Sequence, residues 1–490
     1  METLTNKIPF LKTGSNAGFL LFIVTLLGAI LRFYGLAHES FWLDETASAI
    51  WAHKPVAEIL QMQGEVHPPL YYLLLSFWVK VFGGSDFSLR AVSAIFSTVS
   101  IPLLYFTARE LFKNKNTALI SSLFLAVAQF HLQFSQEARS YTMMVFLVIA
   151  SMYSVLRFLK TGSFKNAILY IFTSVLLLYS HNFGAFFLIT QNIFFLIFKR
   201  EYAASFKKWI LVQSIIALIF LPWLGVMMRQ AAAIEGNYWI EAPGIMSLAQ
   251  LLLNFSGSLT VWGIITLVAF LSLIGLALWH KRTSFKSYPA FVFVLLWFVL
   301  PLIIALIVSI VKQPVFMPRF LIGTLPAFLL LAACGIELLQ KNSFKNIAVA
   351  IITICSLINC TILLQETNKE RWREAVIFTE NLLKSDDTII FHAGFIDGAY
   401  NHYTFKNSTE QVQFPREGND ITPENLIELQ NTIRDKKRIF LVLSHSRDTN
   451  GYIVKVLKES FAEKQHRVYA HRSAGSHKEL VGVEVYVFEK

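Results

Sequence analysis

Charged residues are scarce in this 490-residue chain: Asp, Glu, Lys and Arg together make up 15% of it. An average soluble domain carries about 25%. Hydrophobic residues make up 55%, aromatic residues 14%, and the mean hydropathy is +0.52. These charged side chains are too few to cover the surface of a folded chain of this size in water. The composition therefore excludes a soluble protein. It indicates an integral membrane protein.

Cysteines are also few, and the common phosphate and metal motifs are missing from the C-terminal region. The three cysteines, Cys334, Cys355 and Cys360, lie in late apolar stretches without CxxC spacing or a partner histidine. This pattern indicates neither a disulfide framework nor a zinc site. Residues 366–490 contain no glycine-rich phosphate loop, GxGxxG or HExxH. We therefore assign that region no chemistry from motifs.

The basic residues indicate membrane topology rather than nucleic-acid binding. The net charge is +11 and the pI is about 9.4, but no basic stripe is interleaved with exposed aromatic residues. Instead, Lys and Arg collect in alternate short loops: Lys113 and Lys115; Lys160 and Lys165; Lys199, Arg200, Lys207 and Lys208; Lys281, Arg282 and Lys286; Lys341 and Lys345. By the positive-inside rule, we predict that these loops and the N-terminus are cytoplasmic.

Long apolar runs fill most of the chain. A helix needs about 20 apolar residues to cross the hydrocarbon core of a bilayer. We predict eleven transmembrane helices, near residues 17–35, 88–111, 117–134, 141–159, 165–180, 182–198, 209–228, 259–280, 289–311, 319–339 and 345–364. An odd number of spans places the C-terminus outside. No small-residue cleavage signal follows the first run, so we expect a retained helix rather than a removed signal peptide.

The fold class predicted from this pattern is a polytopic α-helical membrane protein with a small external α/β domain. We assign residues 1–365 to the membrane module and residues 366–490 to the external domain. In that domain we expect strands near 388–393, 438–444, 467–470 and 481–488, and helices near 423–434 and 452–461. Two further apolar segments, Ala47–Gln61 and Pro68–Phe82, are too short to span and are expected along the outer leaflet. A third, Met246–Phe255, is expected to form a re-entrant or surface helix.

The acidic pair Asp44-Glu45 lies in the first external loop, in the run FWLDETASAIWA. Acidic residues at a helix N-terminus often only complement the helix dipole, and that alternative stays open. However, Trp42 and the membrane surface would desolvate the pair, and a desolvated carboxylate is a better proton acceptor. A single base suffices when the leaving group is a phosphate, which departs without needing a proton. The pair is therefore our candidate catalytic site.

Further polar clusters fall in the predicted external loops. His67 precedes Pro68-Pro69 and would donate a hydrogen bond to a phosphate or hydroxyl, while Tyr71 would line a groove; a loop histidine without a role is the alternative. Arg139, beside Glu137 and close to Tyr141, would bind phosphate bidentately. A snorkelling anchor is the alternative for this arginine.

Two more candidates stand at the outer ends of later spans. His181 lies in a short turn between two apolar helices, where a histidine with satisfied hydrogen bonds is as good an interpretation as a ligand. Arg319 follows Pro318 at the start of the tenth predicted span. It is interpreted as a second phosphate-binding group, with a snorkelling anchor as the alternative.

The chain resembles a bacterial member of the GT-C superfamily of membrane glycosyltransferases. Within it, the chain is most similar to the protein-O-mannosyltransferase-like branch that also includes the lipid A aminoarabinose transferase. The resemblance covers about residues 17–340 and rests on FWLDE at 41–45, HPPLYY at 67–72, FGGSDFSLR at 82–90, QEARSY at 136–141, SHNFG at 180–184 and MPRFLIGTLPAF at 317–328. The run WREA at 372–375 is similar to the start of this family's external domain.

The resemblance implies a polyprenyl-phosphate-linked sugar donor, a lipid, glycan or protein acceptor on the outer side, and an inverting mechanism in a bacterial inner membrane. It implies that Asp44 is the general base and that Glu137 matches an acidic position after the third span. Aminoarabinose transferases have Lys where this chain has His67, so the same sugar is not implied. No cofactor is required by the sequence. A divalent metal would fit carboxylates and His181 on the outer face, but no ligand spacing demands one.

A transporter or flippase for a lipid or solute is the competing class of function. It predicts helices broken by Gly or Pro and ionisable residues near the midplane of both halves. Predicted spans two to six contain almost none of these residues. The sequence therefore favours the glycosyltransferase.

Overall fold

The computed structural model describes residues 15–61, 66–202, 206–234, 240–282, 288–406, 409–415, 420–448, 450–472 and 479–490. The chain forms two compact units. The membrane unit consists of Met1–Leu36 and Lys54–Leu364, and the C-terminal unit consists of Ala37–His53 and Gln365–Lys490. The division predicted after residue 365 did not anticipate that Ala37–His53, with the acidic pair, packs with the C-terminal residues.

The helices of the membrane unit follow the apolar runs. In chain order, the helices up to residue 365 are α1 (Ser15–Phe33), α2 (Leu43–Ala52, in the C-terminal unit), α3 (Val56–Gln61), α4 (Leu70–Phe82), α5 (Asp86–Phe112), α6 (Lys115–Ala126), α7 (Gln129–Ser135), α8 (Tyr141–Thr161), α9 (Phe164–Ser180), α10 (Gly184–Ile197), α11 (Phe206–Ile234), α12 (Ile245–Ser256), α13 (Val261–Lys281), α14 (Pro289–Val311), α15 (Leu325–Glu337) and α16 (Asn342–Gln365). A 3₁₀ helix, Pro318–Thr324, leads into α15.

The chain is a multi-pass membrane protein. Among the described residues, eight helical segments are long and apolar enough to cross a membrane, and nine if the broken pair α6–α7 counts as one span. Each of the eleven predicted spans coincides with a helix or a helix pair. However, α9 has 17 residues and α10 has 14, and 14 residues reach only about 21 Å at 1.5 Å per residue. The count of eleven and the orientation of the termini stay predictions.

A buried arginine stabilises the break between α6 and α7, where the two helices meet at 55°. Arg32, fully buried at the end of α1, donates from Nη1 to Ala126 O at 2.9 Å and from Nη2 to Leu125 O at 3.0 Å. Its Nε donates to Ser97 Oγ at 2.6 Å, and Nη2 lies 3.1 Å from His131 Nδ1. The last carbonyls of a helix lack intrahelical partners, and a cation satisfies them here.

A glycine allows two helices of the membrane unit to pack at close range. A Cβ at Gly335 in α15 would lie 2.1 Å from Leu273 O in α13, so no larger residue fits without moving the backbone. Small residues at such contacts allow close packing of helices in membranes.

The C-terminal unit contains a five-stranded mixed sheet in the order β2-β1-β3-β5-β4. Its strands are β1 (Thr388–His392), β2 (Glu410–Gln413), β3 (Arg438–Leu443), β4 (Ala462–Arg472) and β5 (Glu479–Glu489). Strands β1, β2 and β3 pair in parallel, whereas β5 pairs antiparallel with both β3 and β4. Its helices, besides α2, are α17 (Trp372–Leu382), α18 (Asp397–Tyr403), α19 (Pro423–Ile433) and α20 (Tyr452–Ser460).

Alternating side chains of the central strands bury both faces of this sheet. Ile389 and Phe391 belong to one hydrophobic cluster with Trp372 of α17. Ile390, between them, belongs to the other cluster with Leu429 of α19. This alternation is the period of two expected for a strand covered on both sides. Strand β2 lies on one side of β1, and β3 lies on the other side. The carboxyl ends of β1 and β3 therefore form a topological switch point.

The predicted elements of the C-terminal region are confirmed, with three additions: strand β2, helix α17 and helix α18 were not predicted. One prediction outside that region changes. The segment Ala47–Gln61 was expected to be one helix, but it is two, α2 and α3. Pro55 stands at the break, where a proline disfavours the helical conformation of the residue before it.

Candidate active site

The acidic pair lies in the first turn of α2, in the C-terminal unit. Trp42 occupies the N-cap position in an extended conformation and makes no side-chain cap hydrogen bond. The two carboxylates differ in exposure: Glu45 is fully buried, whereas Asp44 is only half-buried. The same helical turn therefore carries two acidic groups in different environments.

Glu45 forms a buried ion pair. Lys369 Nζ lies 2.9 Å from Glu45 Oε2, and the two side chains are 10% and 0% exposed. A buried carboxylate needs such a partner because its transfer from water is costly. This contact makes Glu45 a group that holds α2 in place, and sequence reasoning did not identify Lys369.

Backbone and ring contacts fix the rest of the segment Ala37–His53 within the same unit. Glu39 Oε1 accepts hydrogen bonds from the backbone N–H groups of Asn368 and Lys369, the latter at 3.1 Å. Phe41 N donates to Tyr403 OH at 2.6 Å, and the Phe41 ring stacks on His402 with centroids 4.9 Å apart. The residues around WREA thus hold the acidic segment. The sequence resemblance assigned the run WREA only to the start of a domain.

A second carboxylate network lies beside the first. Glu370, 5% exposed, accepts from Trp372 Nε1 at 2.6 Å through Oε2. Its Oε1 lies 2.6 Å from Nε2 of His445, which follows β3. Sequence reasoning missed both Glu370 and His445. The only local signal was a polar stretch after a buried strand, Ser444-His445-Ser446.

The membrane unit brings together most of the other predicted residues around Arg139, which is 5% exposed. Arg139 Nη1 donates to Tyr72 OH at 3.3 Å, and Nη2 lies 3.4 Å from His67 Nδ1. Tyr71 supports the arginine indirectly: its hydroxyl lies 2.8 Å from Ser93 Oγ, which donates to Arg139 O at 3.0 Å. A buried guanidinium beside a histidine can bind an anionic oxygen.

His181 lies next to this group with one ring nitrogen available. Its ring centroid is 5.6 Å from that of His67 and 6.0 Å from that of Tyr141. Nδ1 accepts from the backbone N–H of Phe183 at 3.2 Å, so the neutral ring carries its proton on Nε2. Nε2 is buried and has no hydrogen-bond partner among the described residues. Such a donor is a good ligand for a phosphate or hydroxyl oxygen.

Burial is the main cause that lowers the pKa of His181, and electrostatic interactions with His67, Arg139 and Arg319 lower it further. His181 is therefore neutral in a cationic environment. Arg319, half-buried in the 3₁₀ helix, contributes to that environment, and its neighbour Phe320 packs 5.5 Å from the His181 ring. Glu137 is 5% exposed, and its backbone carbonyl accepts a hydrogen bond from the backbone N–H of Arg139 at 2.8 Å.

The structure thus distributes the predicted residues over two groups. Asp44 and Glu45 belong to the C-terminal unit. The other seven belong to the membrane unit: His67, Tyr71, Glu137, Arg139, Tyr141, His181 and Arg319. Within the described part of the chain, no group of three His, Cys, Asp or Glu side chains is placed to hold a metal ion. A divalent metal at the site stays a prediction.

Comparison with solved structures identifies the fold. ArnT from Cupriavidus metallidurans in the apo state aligns over 96% of this chain and 98% of its own, with 12% identity and a TM-score of 0.65. The chain has an ArnT-like fold. ArnT bound to undecaprenyl phosphate aligns over the same shares with 10% identity and a TM-score of 0.62. The archaeal oligosaccharyltransferase AglB from Archaeoglobus fulgidus aligns over 95% of this chain and 74% of its own, with 12% identity and a TM-score of 0.58.

Sequence comparisons agree over a shorter region. The family described as dolichyl-phosphate-mannose-protein mannosyltransferase matches residues 66–225. This region contains the Arg139 group but neither the acidic pair nor Arg319. A protein from Aquifex aeolicus is 28% identical over 145 residues, which make up 28% of this chain and 28% of that protein. The resemblance predicted from the motifs is confirmed by these matches.

Proposed function

We propose that this protein is a membrane glycosyltransferase that moves a sugar from a polyprenyl-phosphate-linked donor to an acceptor hydroxyl. The observation that carries the proposal is the buried Arg139 group, in a fold shared along nearly the whole chain with ArnT, a protein solved with undecaprenyl phosphate. We further propose that the acceptor is a lipid, glycan or protein on the outer face of a bacterial inner membrane.

Arg139, Arg319 and His67 would bind the donor phosphate. The polyprenyl phosphate leaves with the electron pair of the bond to the anomeric carbon, so its stabilisation needs positive charge rather than a proton. His181 would add a neutral N–H donor from Nε2. The apolar helices of the membrane unit offer surfaces for the prenyl chain.

Asp44 would be the general base. The acceptor hydroxyl oxygen forms a bond to the anomeric carbon as the bond from that carbon to the phosphate oxygen breaks, and the hydroxyl proton moves to the Asp44 carboxylate. The attack comes from the face opposite the phosphate, so the configuration inverts. We assign this role to Asp44 because Glu45 is fully buried and ion-paired, whereas Asp44 keeps part of its surface exposed.

The test is Asp44→Asn, which keeps the shape of the side chain but cannot accept the proton. Turnover should fall about 10²-fold or more. The variant is expressed in a deletion strain, and mass spectrometry measures polyprenyl-phosphate sugars and envelope glycans. We expect the donor to accumulate and the product glycan to disappear at normal protein levels.

Glu58→Gln is the matched control, since Glu58 also lies in the first turn of a short helix and its exposed side chain pairs with Lys54. This control should transfer at the wild-type rate. An Asp44→Asn protein that also transfers at the wild-type rate would remove Asp44 from the mechanism.

A further inference from the structure

The turn between α9 and α10 carries a second polar side chain directly after His181. The side-chain nitrogen Nδ2 of Asn182 donates to the backbone carbonyl oxygen of Val66 at 2.9 Å. That carbonyl belongs to the peptide bond that leads into His67, whose Nδ1 lies 3.4 Å from Arg139 Nη2. The Asn182 amide therefore lies beside the backbone of a residue in the Arg139 group, within the membrane unit.

The hydrogen bond to Val66 determines which way the Asn182 amide faces. A carbonyl oxygen can only accept, so the side-chain nitrogen faces Val66 and the oxygen Oδ1 faces away from it. Oδ1 is removed from solvent and has no hydrogen-bond partner within the described part of the chain. Buried polar atoms in native structures rarely lack a partner. Oδ1 is therefore an acceptor with a fixed direction, available for a donor that a ligand supplies.

His181 and Asn182 offer opposite hydrogen-bonding groups at adjacent positions. His181 Nε2 carries a proton, Asn182 Oδ1 carries lone pairs, and neither atom has a partner among the described residues. The His181 ring lies 5.6 Å from the His67 ring, measured between centroids. A phosphate oxygen can accept from His181, but it would repel the oxygen of Asn182. Asn182 therefore needs a ligand group that has a proton of its own.

The chemistry of a sugar phosphate restricts this group to one position near the phosphate. In an aldose, the anomeric carbon bears the phosphate and has two neighbours in the ring, the ring oxygen and carbon 2. The ring oxygen has no proton to donate. The hydrogen-bond donor closest to the phosphate is therefore the substituent of carbon 2, which is a hydroxyl or an amide N–H.

We propose that Asn182 is a specificity-determining residue, whose Oδ1 accepts a hydrogen bond from the carbon 2 substituent of the donor sugar. This inference rests on the proposed function and restricts its substrates to polyprenyl-phosphate sugars with a hydrogen-bond donor on carbon 2. Positive charge develops at the anomeric carbon as the phosphate leaves, so a hydrogen bond from carbon 2 strengthens in the transition state. Such a contact increases kcat more than it lowers KM.

The test combines a change in the protein with a change in the sugar. The donor that accumulates in the deletion strain is identified by mass spectrometry and NMR spectroscopy. The same sugar, with and without its carbon 2 substituent, is then attached to a short prenyl phosphate. Transfer from both donors is measured with wild-type protein and with Asn182→Ala, and membranes of the deletion strain supply the acceptor.

The quantity compared is the ratio of kcat/KM for the complete donor to kcat/KM for the deoxy donor. Removal of the carbon 2 substituent also changes the intrinsic reactivity of the sugar, but this change is the same for every protein. The ratio is also independent of how much of a variant is folded. We expect the ratio to be about tenfold higher or more in the wild type than in Asn182→Ala, mainly through kcat.

Two further variants separate this role from support of the His67 backbone. Asn182→Asp keeps an acceptor oxygen but loses the N–H that contacts Val66, so it should keep the preference for the complete donor while overall transfer falls. Asn166→Ala is the matched control, because Asn166 lies at the other end of α9 and its Nδ2 also donates to a backbone carbonyl, Arg157 O, at 3.3 Å. It should behave like the wild type with both donors.

The outcomes separate this inference from the proposed function. Equal ratios in the wild type and Asn182→Ala would overturn the inference, since a merely structural role predicts the same loss for both donors. A natural donor with no hydrogen-bond donor on carbon 2 would overturn it as well. If no polyprenyl-phosphate sugar accumulates in the deletion strain, the proposed function itself is wrong.

Discussion

The buried pair of Glu45 and Lys369 gives the strongest prediction about the stability of the acidic segment. At 2.9 Å, the attraction is about 6 kcal/mol for an effective dielectric constant of about 20. Desolvation of both charges offsets much of it. Removing one partner, however, leaves the other charge buried and uncompensated, which typically costs about 3–5 kcal/mol. We expect Glu45→Gln to lie near the lower limit, since the amide oxygen still accepts a hydrogen bond from Lys369.

Amide hydrogen exchange of the full-length protein, read by mass spectrometry, measures this effect. A loss of about 3 kcal/mol corresponds to exchange about a hundredfold faster, at one factor of ten per 1.4 kcal/mol, in peptides covering Ala37–His53. Asp420→Asn is the control, because Asp420 pairs with Arg447 at an exposed position, with side chains 73% and 61% exposed. Exposed pairs contribute about 0–1 kcal/mol.

A double-mutant cycle with Lys369→Met then tests the reasoning. Because the double variant has no unpaired buried charge, it should exchange more slowly than Glu45→Gln alone. Additive losses, or a Glu45→Gln protein that behaves like Asp420→Asn, would refute the buried-pair argument. The cycle also separates stability from chemistry. If Glu45 only holds α2, the double variant should regain transfer; if Glu45 is itself the base, the double variant should stay inactive.

Two further predictions concern the donor phosphate and the topology. Arg139→Lys should raise the donor KM about tenfold or more, because lysine cannot bind phosphate bidentately. Arg157→Lys, near the other end of α8, is the control. An unchanged donor KM in both Arg139→Lys and Arg319→Lys would reduce both arginines to membrane anchors. A cysteine at Asp420 should react with a membrane-impermeant thiol reagent in intact cells, whereas one at Asn116 should not; the reverse labelling would invert the proposed orientation.

The helices and most strands could be predicted because their signals are local. An apolar run of about 20 residues or an alternating strand carries its own pattern. Strand β2 was missed since its sequence, EQVQ, is mostly polar and exposed at the sheet edge. The break between α6 and α7 depends on Arg32, which lies more than 90 residues earlier in the chain. No local pattern connects these positions.

The candidate site shows the same limit more clearly. The motifs led to Asp44, Arg139 and His181, and the structure places Arg139 and His181 in one group with His67. The sequence did not identify the partners that determine the environment of the acidic pair. Lys369 is 324 residues away from Glu45 in sequence, and His445 is 75 residues away from Glu370. A charged residue so far along the chain carries no local signal of such pairing.

The chain passes through its C-terminal unit twice. It enters that unit after Leu36, leaves it after His53 and returns after Leu364. A truncation at residue 365 would therefore remove Lys369, Glu370 and Trp372, and leave the buried carboxylate of Glu45 without its cation. Loss of transfer in such a truncated protein would not show that the C-terminal unit binds substrate, because the acidic segment would have lost its own fold. Single substitutions at Lys369, Glu370 and His445 are the changes that can separate support of the segment from a part in the reaction.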